Sequence, residues 1–241
     1  MAKPRILVAV IAYNEEMNIG RVLKDLEKHN FGYDVVVIDN GSSDSTAAVC
    51  KKHKVPCVTH CINTGSSVGT VMTYFLYANR YKYDVLCQFD GDGQHVASEL
   101  KTIVEPIINN RADYVIGSRY LGKDGFKSTA IRRVGIKLFS TLISRLTGLV
   151  ITDATSGFRA YGDVVIKYFA LNYRKEIYDV NQLLLLSYYN GARVTELPVT
   201  MKERMHGKSE FDFTNSFLFP LKGVINIIGC ILEYKTKIRV A

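Results

Sequence analysis

Apolar positions along the chain follow two rhythms. Short runs of consecutive β-branched and apolar residues alternate with stretches in which apolar residues return every three or four positions. The first run, Arg5–Ala12 ("RILVAVIA"), reads as a strand buried on both faces. Glu16–His29 follows, with Ile19, Val22, Leu23 and Leu26 at helical spacing. Val35–Asp39 ("VVVID") is a second strand, and "NGSSDST" behind it is a turn rich in helix-capping residues. The pattern then predicts a helix over Asp44–His53, a strand over Pro56–His60 and a helix over Gly69–Tyr81. A strand over Val85–Asp90, a helix over Ala97–Asn109 and a strand over Tyr114–Ser118 complete the series. Strands and helices alternating in this way predict an α/β fold, a mostly parallel central sheet flanked by helices. Ligands of such sheets bind beyond the carboxyl ends of the strands. Polar chemistry gathers at those ends here: "YNEE" after the first strand, "DNGSSD" after the second, "DGDGQ" after the fourth.

The second half is less regular. Gly122–Lys127 reads as a loop, Ile131–Thr147 as a helix opening on Arg132 and Arg133, and residues 153–161 ("DATSGFRAY") as a turn leading into a strand. A helix over Asp179–Asn190, a strand over Arg193–Val199 and a basic loop over residues 202–211 follow. Phe217–Tyr234 puts Phe217, Leu221, Val224, Ile225, Ile228, Ile231 and Leu232 on one helical face, with Lys222, Asn226 and Glu233 opposite. Such a face suits a membrane surface, the protein's own core or a second subunit; the pattern does not choose among them.

Composition narrows the partners. The chain has 241 residues, 47% of them hydrophobic and 22% charged, enough for one sizeable core. Its net charge of +8 favours anionic partners such as phosphorylated small molecules or an acidic membrane. The N-terminal apolar run is too short for a secretory signal, and five cysteines, an odd number, suit a reducing cytoplasm. Cys50, His53, Cys57, His60 and Cys61 lie close in sequence but lack the paired spacing of a zinc site, so they read as packing residues.

Asp90 and Asp92 close the fourth strand between glycines, and two neighbouring carboxylates repel unless a positive group sits between them. Hard oxygen ligands suit Mg2+ or Mn2+, which keep positions open for substrate phosphates, and Gln94 offers a further oxygen. A plain surface turn would use the same residue types for backbone geometry. Neither G-x-G-x-x-G nor a P-loop is present, so a nucleotide would be held by other groups. Asp39 can accept from base N–H groups and Glu15 from ribose hydroxyls; helix capping is the bland alternative for such acids.

Together, "AVIAYNEEMNIGRVL", "VVVIDNGSSDST", "NTG…G", "QFDGDGQH" and "YVIGSR" resemble glycosyltransferase family 2, the inverting enzymes of GT-A fold. "DATSGFRAY", "VTELPVTMKER" and "HGKS" resemble its polyprenyl-phosphate branch, the dolichyl-phosphate mannose synthase-like enzymes. The likeness spans about residues 5–210. It implies that Ala12, Tyr13, Glu15 and Asp39 line the base and ribose of a nucleotide sugar (UDP-, GDP- or dTDP-linked). It implies that Asp90, Asp92 and Gln94 hold Mg2+ or Mn2+ against the diphosphate. Arg119, Arg132 and Arg159 would face phosphates of donor or acceptor, and Arg204, His206 and Lys208 would sit on a loop closing over the donor. Residues 1–212 would form a single catalytic domain, with a nucleotide-sugar half over 1–120 and an acceptor half over 121–212. Residues 213–241 would add the amphipathic helix, a membrane-surface or dimer contact, placing the enzyme peripherally at the cytoplasmic face of the membrane.

Departures from the family pattern bear on the acceptor. Asn40 stands where the family has a second acid, Ala12 replaces a proline, and the acidic segment after "SGFR" reads "EIYDVNQ". A polyprenyl phosphate acceptor is already ionised and needs no general base, whereas a glycan hydroxyl does. Asp179 is the candidate base in the second case and a helix N-cap otherwise. A non-catalytic nucleotide or nucleic-acid binding module is the alternative of another class. The basic residues lie in the motif loops rather than in an aromatic-interleaved stripe, which disfavours nucleic acid.

Overall fold

The computed structural model describes residues 3–29, 31–65, 68–122, 130–172, 179–204, 206 and 223–232, with only the backbone described at 68 and 130–132. The first half alternates as the sequence pattern predicts: β1 (Ile6–Ala12), α1 (Ile19–His29), β2 (Asp34–Asp39), α2 (Thr46–Lys52), β3 (Cys57–Thr59), α3 (Val68–Arg80) and β4 (Val85–Asp90). A 3-10 turn over Ala97–Glu99 leads into α4 (Leu100–Ile108), followed by β5 (Tyr114–Ser118). Then come α5 (Ala130–Thr147), β6 (Arg159–Gly162), α6 (Asp163–Leu171), α7 (Val180–Tyr189) and β7 (Val194–Pro198). Residues 223–232 form α8.

The strands make one sheet in the order β3-β2-β1-β4-β6-β5-β7. Only β6 runs antiparallel, between β4 and β5; the other pairs are parallel. Alternate residues of β1 enter opposite cores. Leu7 and Ala9 pack towards α3 and α6, and Ile6, Val8 and Val10 towards α1 and α4. That two-sided burial is why β1 reads as an unbroken apolar run.

No element was expected over Asp163–Leu171, yet α6 forms there directly after β6. Its β-branched run (Val164, Val165, Ile166) blurs the helical signal. Tertiary packing decides: Phe169 stacks on Phe75 of α3 with centroids 4.9 Å apart. The C-terminal helix is described only over 223–232, and the earlier part of the expected Phe217–Tyr234 helix lies outside the described residues. Its buried line is Gly223, Ile227 and Cys230, none of which belongs to the expected apolar face, and Ile225, Ile228 and Leu232 of that face stay exposed. A side chain at Gly223 would strike the Phe139 ring of α5, so α8 sits hard against α5.

Candidate functional site

Parallel register brings the polar strand ends to one edge. Ala12 lies opposite Asp39, and Ile11 opposite Asp90. The turns after β1 and β2 are stitched together: Asn40 N–H donates to the Ala12 carbonyl at 2.9 Å, and Ser43 N–H to Asn14 Oδ1 at 2.9 Å. Asn14 takes a positive φ of 53°, which asparagine tolerates. Ala12 is buried and Tyr13 half-buried at this edge.

Asp39 is the deepest acid here, 1% exposed. Its Oδ1 accepts from the backbone N–H and hydroxyl of Ser42. Its Oδ2 is buried with no partner, an orphan that normally costs free energy. Glu15, after β1, is also buried at this edge. Its N–H donates to Thr46 Oγ1 at 2.9 Å, Oε2 accepts from Asn18 Nδ2 at 2.6 Å, and Oε1 pairs with Arg204. Burial pushes the Glu15 carboxyl up. Asn40 explains its own departure from the family pattern. Its Nδ2 donates to Asn63 Oδ1 at 3.0 Å and to the Gly65 carbonyl at 2.9 Å, bonds an aspartate could not make.

At the mouth of β4, the bare Gly91 lets the chain cross β1: a Cβ there would meet the Ile11 carbonyl oxygen at 2.8 Å. Gly93 supplies a φ of +80° and turns the chain so that Gln94 N–H donates to Asp92 Oδ1 at 3.0 Å. Burial in this recess raises the Asp90 carboxyl to about 6, against the opposing charges of Arg119 and Arg204. Asp92 is raised too, by burial and then by Asp90 itself. The Gln94 amide donates weakly to the Lys202 carbonyl at 3.5 Å. Among the described residues no group of three His, Cys, Asp or Glu side chains converges to hold a metal ion. Two mutually repelling carboxylates with one amide oxygen nearby still fit a hard cation that keeps open positions. Of the cysteines clustered in sequence, Cys50 is buried and Cys57 half-buried, whereas Cys61 is exposed and does not serve the packing role expected of it.

Sequence reasoning missed His95, although it closes the same motif. It is 3% exposed, with its ring stacked on Phe158 and edge-on to Phe89. Its Nδ1 accepts the Asp90 backbone N–H at 2.9 Å, so the proton resides on Nε2, which lies 3.3 Å from Asp90 Oδ2. Burial lowers its pKa to about 4.

The basic groups divide sharply. Arg204 reaches into the recess between Glu15 and Asp92, with Nη1 3.8 Å from Asp92 Oδ2, and its Nε donates to the His206 carbonyl at 2.9 Å. His206 is otherwise exposed. Lys208 lies outside the described residues, as does the Arg132 side chain. Arg119 forks onto buried Asp153, with Nε and Nη2 each 2.7 Å from a carboxylate oxygen, and its charge is still felt at Asp90. Arg159 does not face the recess as expected. It is fully buried and gives its N–H groups to the carbonyls of Ser156, Ala154 and Val180 and to the Tyr114 hydroxyl. Asp179 is the N-cap of α7 in a full capping box, and its Oδ2 accepts from Asn226 of α8 at 3.2 Å. Beside Arg119, a cavity of about 590 Å³ opens along α5, lined by Tyr120, Ile136 and Ile151 and edged by Arg133, Lys137 and Arg145.

Paired acids at the ends of parallel strands, with no glycine-rich phosphate loop among the described residues, can hold a divalent cation against a phosphorylated ligand. The comparisons agree. The model of the family described as "Glycosyl transferase family 2" matches residues 7–169, and the chain belongs to that family and is a glycosyltransferase. An uncharacterised protein of Methanocaldococcus jannaschii is 32% identical over 199 residues, 82% of this chain and 81% of that protein. A UDP-N-acetylglucosamine–dolichyl-phosphate N-acetylglucosaminyltransferase of Methanococcus voltae is 29% identical, covering 83% of this chain and 86% of its own. A polyprenol monophosphomannose synthase of Mycolicibacterium smegmatis is 29% identical, covering 88% and 82%. In structure, the chain resembles the glucosyl-3-phosphoglycerate synthase of Mycobacterium tuberculosis crystallised with Mn2+ and UDP-glucose. The TM-score is 0.71 at 13% identity, over 94% of this chain and 79% of that one. The fold is GT-A.

Proposed function

We propose that this glycosyltransferase moves a sugar, with inversion, from a nucleoside-diphosphate donor to a polyprenyl-phosphate-type lipid. The observation that carries the donor half is the partnerless, buried Oδ2 of Asp39, at the sheet edge that also carries Asp90 across the intervening strand β1. A base N–H would satisfy that oxygen, and the diphosphate would then extend along the sheet edge towards Asp90 and Asp92. Asp90, Asp92 and Gln94 would hold Mg2+ or Mn2+, which when bound offsets the charge of the departing diphosphate. The protein's own part is to seat the nucleotide on Asp39 and Glu15. Arg204, now paired with Glu15 and Asp92, is placed to exchange those partners for phosphate oxygens.

The acceptor half rests on chemistry and on the relatives' names, which specify dolichyl and polyprenol phosphates. The Asp179 carboxylate is engaged by the N–H groups of Asn181 and Gln182 and by Asn226, an arrangement for capping rather than for taking a proton. An ionised phosphate acceptor removes the need for a base. A lipid acceptor also suits the exposed Ile225, Ile228 and Leu232 on α8, which favour peripheral attachment to the cytoplasmic face of the membrane. Among the described residues no helix is long and apolar enough to cross a bilayer.

The test is nucleoside diphosphate release from a panel of UDP-, GDP- and dTDP-sugars, with and without Mn2+, offered polyprenyl phosphate or a lipid-linked glycan. Release dependent on Mn2+ and on polyprenyl phosphate, and lost in Asp92→Ala, is the expected result. Release with the glycan alone would replace the acceptor reading.

A further inference from the structure

We propose that His60 is a positioning residue for the donor nucleotide: by holding the Asn40 side chain it keeps the turn after β2 in the shape that presents Asp39; this rests on the donor reading above. His60 follows β3, and its N–H donates to the Asp39 carbonyl at 2.9 Å. Its half-buried ring spans two neighbours, with Nδ1 3.2 Å from Asn40 Oδ1 and Nε2 2.8 Å from Thr73 Oγ1 of α3. Backbone groups fix which way the Asn40 amide points. Its Nδ2 donates to the Gly65 carbonyl at 2.9 Å, and its Oδ1 accepts the Thr64 N–H at 3.2 Å. An oxygen therefore faces the imidazole, and Nδ1 carries the proton of that bond. At the other nitrogen, the Thr73 hydroxyl has two choices. It keeps its bond to the Gly69 carbonyl at 2.7 Å and accepts from Nε2–H of the charged ring, or it turns and donates to Nε2 of the neutral ring. The bond to Asn40 is the same in both states.

Asn40 is where two segments meet. Its side chain also bonds Asn63 Oδ1 at 3.0 Å and the Thr64 hydroxyl at 2.8 Å, and its own N–H donates to the Ala12 carbonyl at the end of β1. Gly41, next in the chain, has a φ of +75°, and a Cβ there would lie 2.8 Å from the Asn63 nitrogen. The turn after β2 and the segment after β3 therefore press backbone to backbone. One residue further on, Ser42 supplies both donors to Asp39 Oδ1. Asp39 and Ser42 thus bound a turn whose middle is clasped by the segment that His60 begins. Helix α3 anchors the clasp, since Val71, Tyr74 and Phe75, on either side of Thr73 in sequence, are buried in the core. Holding a ligand-binding turn in its bound shape before the ligand arrives cuts the ordering cost of binding.

Two substitutions separate this role from plain packing. His60→Asn puts an N–H where Nδ1 stood, so it keeps the bond to Asn40 and loses Thr73. His60→Gln puts an N–H where Nε2 stood, so it keeps Thr73 and loses Asn40. Affinity for UDP, GDP and dTDP is measured by calorimetry with Mn2+ present, on the native chain, both variants and Asp39→Asn, with melting temperature read on each. For the nucleotide that the native chain binds, affinity is expected to stay within about threefold in H60N and to fall about tenfold in H60Q. Equal affinities in H60N and H60Q, a larger loss in H60N, or losses that simply follow melting temperature overturn the proposal. The ring nitrogens of His60 in the native chain, read by nuclear magnetic resonance, decide even if a variant does not fold. A neutral ring with its proton on Nδ1 is expected, and a neutral ring with its proton on Nε2 overturns the proposal. Affinity lost in D39N while H60N and H60Q bind alike overturns this proposal alone. Unchanged affinity in D39N, or a native chain that binds none of the three nucleotides, overturns the donor reading and this proposal with it.

Discussion

Asp39 carries the donor reading at the scale of single atoms. Ser42 supplies two donors to Oδ1, which leaves Oδ2 buried without a hydrogen-bond partner. In Asp39→Asn, those same donors hold the amide oxygen in place of Oδ1, so the amide nitrogen must take the Oδ2 position. A donor then faces the N–H of the base. Nucleoside diphosphate affinity by calorimetry is expected to fall about tenfold, roughly 1.4 kcal/mol, with little change in melting temperature. Unchanged affinity would remove Asp39 from the base site. The placement of Asp39, Glu15 and the acid pair at the strand ends was legible in the sequence because the apolar runs that precede them mark where the strands stop. His95 was not, because its burial between Phe158 and Phe89 and its bond to the Asp90 backbone depend on packing that no spacing rule encodes. Arg159 was misplaced for a related reason. A guanidinium next to a motif suggests phosphate, but the fold surrounds this one with carbonyls.

At the scale of elements, α7 begins where cap and base readings compete for the same carboxylate. Asp179 and Gln182 form a reciprocal cap, and Asn226 ties α8 to it. Asp179→Ala should cost about 1 kcal/mol of stability, seen as a lower melting temperature. Asp179→Asn keeps a good capping oxygen and abolishes any base. Its turnover with polyprenyl phosphate is expected to stay near native, whereas a large loss with stability intact would mark Asp179 as the base of a hydroxyl-directed enzyme. The elements themselves were legible wherever periodicity was clean, from β1 through β5. The pattern failed at α6, whose helix depends on Phe169 meeting Phe75 rather than on its own sequence preference. At α8 it placed a helix but not its buried side: Gly223, Ile227 and Cys230 are buried, none of them on the expected apolar face, and Gly223 closes on Phe139.

At the scale of the whole molecule, the far edge of the sheet is held by charge as well as by backbone pairing. Arg193, just before β7, forks onto Asp113, just before β5, with Nε 2.8 Å from Oδ2 and Nη2 2.8 Å from Oδ1. Hydrogen bonding to Arg193 lowers the Asp113 pKa below its ordinary value of 3.8. A carboxyl depressed on folding contributes stability above its unfolded pKa and loses that contribution as pH falls through the lower, folded value. Denaturant unfolding of Asp113→Asn should therefore show a deficit at pH 7 that narrows below about pH 4. A deficit constant across that range would show that the pair contributes by packing alone.

The sequence by itself determined the class of fold, the edge of the sheet where the polar strand ends gather and the acids that sit there. Strand and helix periods, and charges at strand ends, are local properties of the chain. Only the tertiary structure decided which of those charged groups are available. Burial and partner geometry commit Arg159 to carbonyls, Arg119 to Asp153 and Asp179 to a helix start, while leaving one oxygen of Asp39 without a partner. Those commitments depend on residues distant in sequence meeting within hydrogen-bond range, which no local pattern contains.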